Sequence, residues 1–213
     1  MRGLIKRSVI RAATRWPLRR VISWRARDRG RREVAITFDD GPHPDYTPGV
    51  LDELAESGVK ATFFVLGRQV EGHPGLFQRI RAAGHEVGNH GYDHSVVDLP
   101  AQIERTGTII AGFGSRARTF RPPYGRLSAR TLAWTAVHGM PVCMWSFDVD
   151  DSRRHEGKVA ERRPFDEIGP GDIILLHDDN PVCVAELPEL LEDLRRRDLR
   201  PVGVSTLLGY ESP

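Results

Sequence analysis

Two adjacent carboxylates stand at the end of an apolar run early in the chain. Val34 to Phe38 has the composition of a buried strand, and Asp39 and Asp40 follow it directly, before Gly41 and Pro42 turn the chain away. Successive side chains of a strand point to opposite sides, so the pair predicts two roles, one as a cation ligand and one facing a reacting water. Taken alone, the turn would also fit an aspartate that caps the next helix.

Two histidines four residues apart favour the metal interpretation. His90 and His94 can face the same way on one helical turn. Together with Asp40 they would supply the three-ligand, open-position site that is typical of hydrolytic zinc. Such a site lowers the pKa of a bound water and polarises a carbonyl. Histidine pairs at this spacing are often only surface groups, so the prediction depends on the combination with Asp40.

A fixed cation precedes a rigid turn later in the chain, where Arg121 is followed by two prolines and Tyr124. The guanidinium can hold a carboxylate in one orientation and keep it ionised. Backbone N–H groups around Tyr124 are candidate donors to an oxyanion. Without the other motifs, a proline-stiffened surface loop would be the simpler interpretation.

A histidine ends another apolar run. His177 follows Ile173 to Leu176, and an imidazole can donate a proton to a leaving amine at neutral pH. It would do so best if a carboxylate such as Asp151 kept it protonated. A structural histidine after a strand is the alternative for this residue alone.

Short apolar runs alternate with helical patterns from residue 33 onward. Parallel strands with crossover helices are expected from this alternation, and a β/α fold of barrel type, distorted or incomplete, is the economical architecture. Chemistry gathers at strand ends in such a fold, so five strand ends are predicted to direct titratable groups to one mouth. Strands are predicted at 34–38, 61–66, from 87, 119–121, 142–147, 173–176 and near 202, and helices at 48–55, 76–83, 128–138 and 185–197.

These clusters, in this order, resemble the five motifs of the polysaccharide deacetylase family, the NodB-homology domain of carbohydrate esterase family 4. The resemblance covers about Val34 to Leu208. It implies an α/β fold, a distorted (β/α) barrel of the NodB-homology type, with a bound divalent metal that is usually zinc. The matching segments are Thr37 to Gly41, His90 to His94, Arg121 to Tyr124, Asp148 to Asp151 and Leu175 to His177.

Motif position implies a role for each residue. Asp39 would be the general base, oriented by Arg121, and His177 would be the general acid, supported by Asp151. The Tyr124 backbone N–H would stabilise the oxyanion. The implied metal ligands are Asp40, His90 and His94, and the implied substrate-binding residues are Leu175, Trp145, Pro122 and Tyr124.

Two positions depart from the family pattern. Gly91 stands where the family usually has Ser or Thr, and Ser152 stands where it usually has Trp. Neither change removes a ligand or a proton-transfer group. The resemblance therefore predicts removal of N-acetyl groups from an oligo- or polysaccharide containing N-acetylglucosamine, and in size the chain is nearest to the chitooligosaccharide deacetylases. The alternatives are an O-acetyl ester or cyclic amide hydrolase with the same site, and a non-catalytic carbohydrate-binding relative.

Charge divides the chain into a basic arm, residues 1–32, and a catalytic domain, residues 33–213. Residues 1–33 hold twelve Arg or Lys and two acids, and the remainder holds nineteen basic and twenty-seven acidic residues. The arm has an amphipathic pattern and no long apolar stretch, so we expect a cytoplasmic protein. Residues 1–30 are expected either to touch the inner membrane face or to remain solvated. No base-reading motif follows, so no nucleic-acid partner is expected, and the oligomeric state is left open.

Overall fold

The structure is a computed structural model that describes residues 21–28, 30–159 and 161–210. The amphipathic pattern that predicts a membrane-binding arm falls mainly on residues 5–16 and lies outside the described residues. None of the helices in the described ranges has the length and apolarity that a bilayer crossing needs.

A parallel sheet forms the centre of the fold. The strands are β2 (Glu33–Asp39), β3 (Thr62–Val65), β4 (Glu86–Asn89), β6 (Phe147–Asp148), β7 (Ile173–His177) and β8 (Arg200–Pro201). They lie in the order β4-β3-β2-β7-β6, and the short strand β8 also pairs with β2. In the register of β2 with β7, Asp39 lies beside His177, so the last residues of two central strands are neighbours.

Two further strands, β1 (Ile22–Ser23) and β5 (Val142–Cys143), pair in parallel with each other. Single bridges through Phe120 connect β4 to β5, and a bridge between Arg25 and Asp172 connects the segment after β1 to the start of β7. The predicted α/β fold of parallel strands is confirmed. The described strands do not form a closed barrel.

The helices lie between the strands and cover the sheet. They are α1 (Thr47–Glu56), α2 (Gly67–Gly72), α3 (Pro74–Ala82), α4 (Leu99–Gly112), α5 (Ala129–Val137), α6 (Asp151–His155), α7 (Pro181–Arg196) and α8 (Val204–Leu208). Proline occupies the first turn of four of them, α1, α3, α4 and α7, where its missing N–H is not needed.

The predicted elements need several corrections. The run from 142 to 147 forms two short strands instead of one, because the Met144 N–H bonds to Ser23 while the Ser146 N–H bonds to Ile173, so the chain crosses from one sheet to the other. The predicted strand at 119–121 is a single bridging residue, Phe120. Helix α4, which follows the histidine loop, was missing from the prediction, as were the short helices α2, α6 and α8 and the short strand β1.

Apolar side chains pack between β2 and the helices around it. Val34, Ile36 and Phe38 are fully buried, and the rings of Phe38 and Phe63 stack with centroids 4.9 Å apart. Because β2 is covered on both faces, its strand is a nearly continuous apolar run. The core therefore fixes the strand whose end carries the two aspartates.

Cys143 and Cys183 are both buried free thiols.

Candidate active site

The ends of β2, β4, β6 and β7 open onto one pocket of about 530 Å³. It lies at the carboxyl ends of parallel strands, where loops leave room for a ligand. Among its lining residues are Asp39, Asp40, His90, His94, Asp148 and His177.

Three candidate metal-binding side chains converge in this pocket. Oδ1 of Asp40 lies 3.5 Å from Nε2 of His90 and 3.4 Å from Nε2 of His94. The three ligand atoms are all within 4.8 Å of one another. Nδ1 of His90 is 2.8 Å from the carbonyl oxygen of Arg121. A carbonyl can only accept, so the proton of the neutral ring is on Nδ1 and Nε2 presents a lone pair to Asp40.

Local electrostatics agree with a cation at this point. Oδ1 of Asp40 is buried and has no hydrogen-bond partner. Burial lowers the pKa of His90 to about 4 and also lowers the pKa of His94, so both rings are neutral, as ligands must be. Burial, reinforced by the charge of Asp39, raises the pKa of Asp40 to about 8. A cation beside Asp40 would favour its charged form, so the donor set fits a divalent metal.

The two histidines do not share a helical turn, contrary to the prediction. They belong to the loop between β4 and α4, which has left-handed backbone at Gly91 (φ 85°) and His94 (φ 63°). These conformations break the helical spacing but still bring the ring centroids to 5.1 Å. Asp40 is also left-handed, with φ 76°. The ligand geometry therefore depends on the loops instead of on regular helix periodicity.

Arg121 is completely buried and holds Asp39 in one orientation. Its Nη1 donates to Oδ1 of Asp39 at 2.7 Å and to Oγ1 of Thr37 at 2.8 Å. Nε and Nη2 donate to the carbonyls of Cys143 and Met144, at 3.2 Å each. The guanidinium is thus held by β2, by the end of β5 and by the residue that follows β5. The second oxygen of Asp39, Oδ2, lies 3.7 Å from Nε2 of His90, at the metal side of the pocket.

His177 is held by a fully buried carboxylate. Oδ1 of Asp151 lies 2.9 Å from Nδ1 of His177, and Oδ2 accepts from the His177 backbone N–H at 2.8 Å and from Asn180 at 3.2 Å. Burial lowers the pKa of His177, but the hydrogen bond and charge of Asp151 outweigh burial and raise it to about 10. The ring is therefore protonated at neutral pH, with Nε2 left for the pocket.

The family sequence model described as "Polysaccharide deacetylase" matches residues 26–143, which is more than half of the chain. This chain belongs to the polysaccharide deacetylase family. The family is metal-dependent, and Asp40, His90 and His94 form the one cluster in the described ranges with the donors and spacing to hold an ion.

Relatives within the polysaccharide deacetylase family include peptidoglycan and chitooligosaccharide deacetylases. The peptidoglycan-N-acetylglucosamine deacetylase PgdA of Listeria monocytogenes is 35% identical over 185 residues, covering 84% of this chain and 39% of that protein. This chain thus spans about two fifths of the length of that relative. The chitooligosaccharide deacetylase of Sinorhizobium fredii is 39% identical over 160 residues, covering 71% of this chain and 74% of that protein.

Among solved family structures, one similar structure is the Bc1960 peptidoglycan N-acetylglucosamine deacetylase in complex with 4-naphthalen-1-yl-N-oxidanyl-benzamide. The TM-score is 0.81 at 29% sequence identity, and the match covers 91% of this chain and 95% of the other. The parallel α/β architecture of this polysaccharide deacetylase is therefore shared over almost its whole described length.

The remaining residues predicted for the substrate lie on the pocket wall. Leu175 and Pro122 are buried there, Trp145 is half-buried, and Tyr124 is 65% exposed. Tyr124 has left-handed backbone, φ 57°, and its ring centroid lies 4.3 Å from that of His94. The structure brings all of these predicted residues to the pocket, while Arg121 and Asp151 lie behind it. Their roles stay predictions.

Several polar residues near the site were not predicted from sequence. Asp179, Arg153, Glu156 and Lys158 line the pocket beside Ser152, so the wall that would carry the family tryptophan is polar here. The sequence could have indicated Asp179, because it stands only two residues after His177, which was itself predicted to lie in the site. The charged residues after Ser152 resembled an ordinary solvated segment.

Asp178 is buried beneath the turn that carries Asp40. Its Oδ2 accepts from Oγ1 of Thr47 at 2.6 Å. Burial, together with the charge of Asp179, raises the pKa of Asp178 to about 7. A Cβ added to Gly41 would overlap the Asp178 carboxyl, so only glycine allows this close approach. Nothing in the sequence pattern identified this contact.

Proposed function

We propose that this chain is a metal-dependent N-deacetylase acting on N-acetylglucosamine units of an oligo- or polysaccharide. One observation carries the proposal: the candidate ligand atoms of Asp40, His90 and His94 converge beside a fixed carboxylate, Asp39, and a protonated imidazole, His177. This arrangement supplies a cation site, a base and an acid at one pocket. The substrates named for its relatives, peptidoglycan and chitooligosaccharide, support the substrate class.

We propose Zn²⁺ as the metal. Two imidazole nitrogens and one carboxylate oxygen are the ligand types of hydrolytic zinc sites, and three protein ligands leave a position open. When bound, such a cation supplies Lewis-acid polarisation of the acetyl carbonyl and lowers the pKa of an adjacent water. The hydrogen bond from His90 Nδ1–H to the Arg121 carbonyl orients one ligand ring for this task.

Asp39 and Tyr124 serve the attack of water on the acetamide. Oδ1 of Asp39 is engaged by Arg121, so Oδ2 is the oxygen left to accept the proton of the attacking water. As the water oxygen bonds to the acetyl carbon, negative charge develops on the carbonyl oxygen. The backbone N–H of Tyr124, a residue that lines the pocket, is our candidate donor to that oxyanion.

His177 completes the reaction by protonating the leaving group. Its Nδ1 is held by Asp151, so Nε2–H delivers its proton to the sugar nitrogen as the C–N bond breaks. The products are acetate and a free amine. Afterwards Asp39 carries one extra proton and His177 lacks one, and exchange with solvent restores both.

The acetyl group is expected to lie against the apolar part of the pocket. Leu175, Trp145 and Pro122 supply that surface, next to the metal ligands. Elsewhere the pocket is lined by Ser152, Arg153, Glu156 and Lys158, which make its opening polar. Such an opening suits a sugar chain with further substituents more than a small isolated amide.

The test is acetate release from N-acetylglucosamine oligomers by purified protein, before and after chelation and with zinc returned. Acetate release that the chelator abolishes and added zinc restores would support the proposal. Asp39→Asn is the matched control, because this variant should keep the metal and lose turnover. Release that persists after full metal removal would contradict metal dependence. Zinc-loaded protein that releases acetate only from O-acetyl sugars would move the reaction to an ester.

We also propose that residues 1–30 contact an anionic membrane surface, on the cytoplasmic side. The first 20 residues hold seven Arg or Lys and no acid, which supports this, since each basic residue adds about 1 kcal/mol near an anionic bilayer. Deleting residues 1–20 should abolish co-sedimentation with phosphatidylglycerol vesicles and leave acetate release from soluble oligomers unchanged. Equal binding to neutral phosphatidylcholine vesicles would contradict an electrostatic contact.

A further inference from the structure

One side chain outside the metal-binding loop spans the backbone on both sides of His94. Oε1 of Gln102, on α4, accepts from the N–H groups of Tyr92 at 3.0 Å and Asp93 at 3.4 Å. Its Nε2 donates to the carbonyls of Ser95 at 3.2 Å and Val97 at 2.8 Å. A single amide therefore joins two backbone groups before the histidine to two after it.

The loop needs such support because of its conformation. His94 has φ 63°, and left-handed backbone at a non-glycine residue costs on the order of 1 kcal/mol. Gly91, earlier in the loop, has no side chain with which to bond the backbone. In the described part of the chain, Gln102 is the one side chain from outside the loop that bonds to the backbone of residues 92–97.

The first histidine is held by different contacts. The Gly91 N–H bonds to the side chain of Asn89 at 2.9 Å, and the Gly91 carbonyl accepts from Oγ1 of Thr106 at 2.8 Å. The ring of His90 is fixed by the carbonyl of Arg121. These contacts do not involve Gln102, so its loss would leave His90 in place and release the backbone around His94.

We propose that Gln102 is a positioning residue for the metal ligand His94. The inference rests on the proposed metal site, and it assigns to Gln102 the support that the side-chain-free Gly91 cannot give. Residues that orient a ligand typically change metal affinity by about 10–100-fold when they are replaced. Gln102→Met keeps length and helix propensity but removes all four hydrogen bonds, so the zinc Kd should rise by about tenfold or more.

The experiment measures the zinc Kd of chelator-stripped full-length protein by competition with a fluorescent chelator, with the thermal midpoint of the apoprotein recorded alongside. Glu104→Met is the matched control, because it is the same change two residues away on the exposed face of α4. Gln102→Glu is the second variant, since it keeps an acceptor but sets a carboxylate oxygen against the carbonyls of Ser95 and Val97. Both Gln102 variants should bind zinc more weakly, with Glu104→Met at the wild-type Kd.

Three results would overturn the inference. A zinc Kd within twofold of wild type for folded Gln102→Met would remove the positioning role while leaving the metal site intact. An equal rise in Kd for Glu104→Met would show that α4 in general, and not this amide, is responsible. If the wild-type protein itself binds no zinc, that result contradicts the proposed function, and the positioning role of Gln102 is contradicted as a consequence.

Discussion

Replacing Asp151 with Asn tests how the pocket keeps its acid protonated. The Asp151 hydrogen bond and charge raise the pKa of His177 from 6.5 to about 10 against the opposing effect of burial. In Asp151→Asn, the amide oxygen can still accept from the His177 backbone N–H, which turns the NH₂ group toward Nδ1. A donor at Nδ1 opposes protonation of the ring, so the pKa of His177 should fall to its ordinary value or lower.

The size of the effect follows from the two pKa values. At pH 8 a histidine with a pKa of about 10 is about 99% protonated, and one with a pKa of 6.5 is about 3% protonated, so kcat should fall by about 30-fold. At pH 5.5 both forms are mostly protonated and the loss should be small. The basic limb of the kcat profile should therefore move to lower pH by several units, because the raised pKa is what keeps the acid charged there.

The assay is acetate release at saturating substrate and zinc, from pH 5 to pH 10. Asp150→Asn is the matched control, since Asp150 pairs with Arg153 at 2.7 Å, has left-handed backbone that Asn tolerates, and is next to Asp151 in sequence. Its profile should follow wild type. A basic limb that stays at the same pH in Asp151→Asn, with rate lost equally at every pH, would refute the role of Asp151 as the group that charges His177.

Three further predictions concern the general base Asp39, the metal ligand His90 and the turn at Gly41. Asp39→Asn should leave the zinc content unchanged and lower kcat by about 100-fold or more, and full activity would remove Asp39 as the base. His90→Ala should raise the zinc Kd as well as lower the rate, as metal analysis after dialysis would show, and an unchanged metal content would count against its role as a ligand. Gly41→Ala should destabilise the protein by about 1–3 kcal/mol in thermal unfolding, because the new Cβ overlaps the buried carboxyl of Asp178, and a wild-type midpoint would contradict that packing.

The residue types that form the site could be predicted from the sequence. Asp39, Asp40 and His177 each follow an apolar run, and side-chain period and chain order are local properties that need no tertiary information. The helix at 128–138 was predictable for the same reason and forms at Ala129–Val137, with the Ser128 side chain capping Thr131 N–H. Alternation of strands and helices likewise indicated parallel pairing.

Other features were outside the reach of local patterns. The run at 142–147 is apolar enough for one strand, but its backbone hydrogen bonds go to two different sheets, so it is split. Helix α4 was missed because its β-branched residues and glycines weaken the helical signal, while Ile103 and Ile110 are stabilised by burial in the core. Residues distant in sequence therefore determined both the split strand and the formation of α4.

The sequence by itself determined which side chains are present, in what order, and on which kind of element, since periodicity and chemical type are read residue by residue. Tertiary structure alone decided how they meet. The register of β2 with β7 makes Asp39 the neighbour of His177, and the loop around His94 takes a non-helical path that is bonded by Gln102. The physical reason is that strand register, left-handed loop backbone and buried polar contacts are set by partners far away in the chain, whose distances no local pattern encodes.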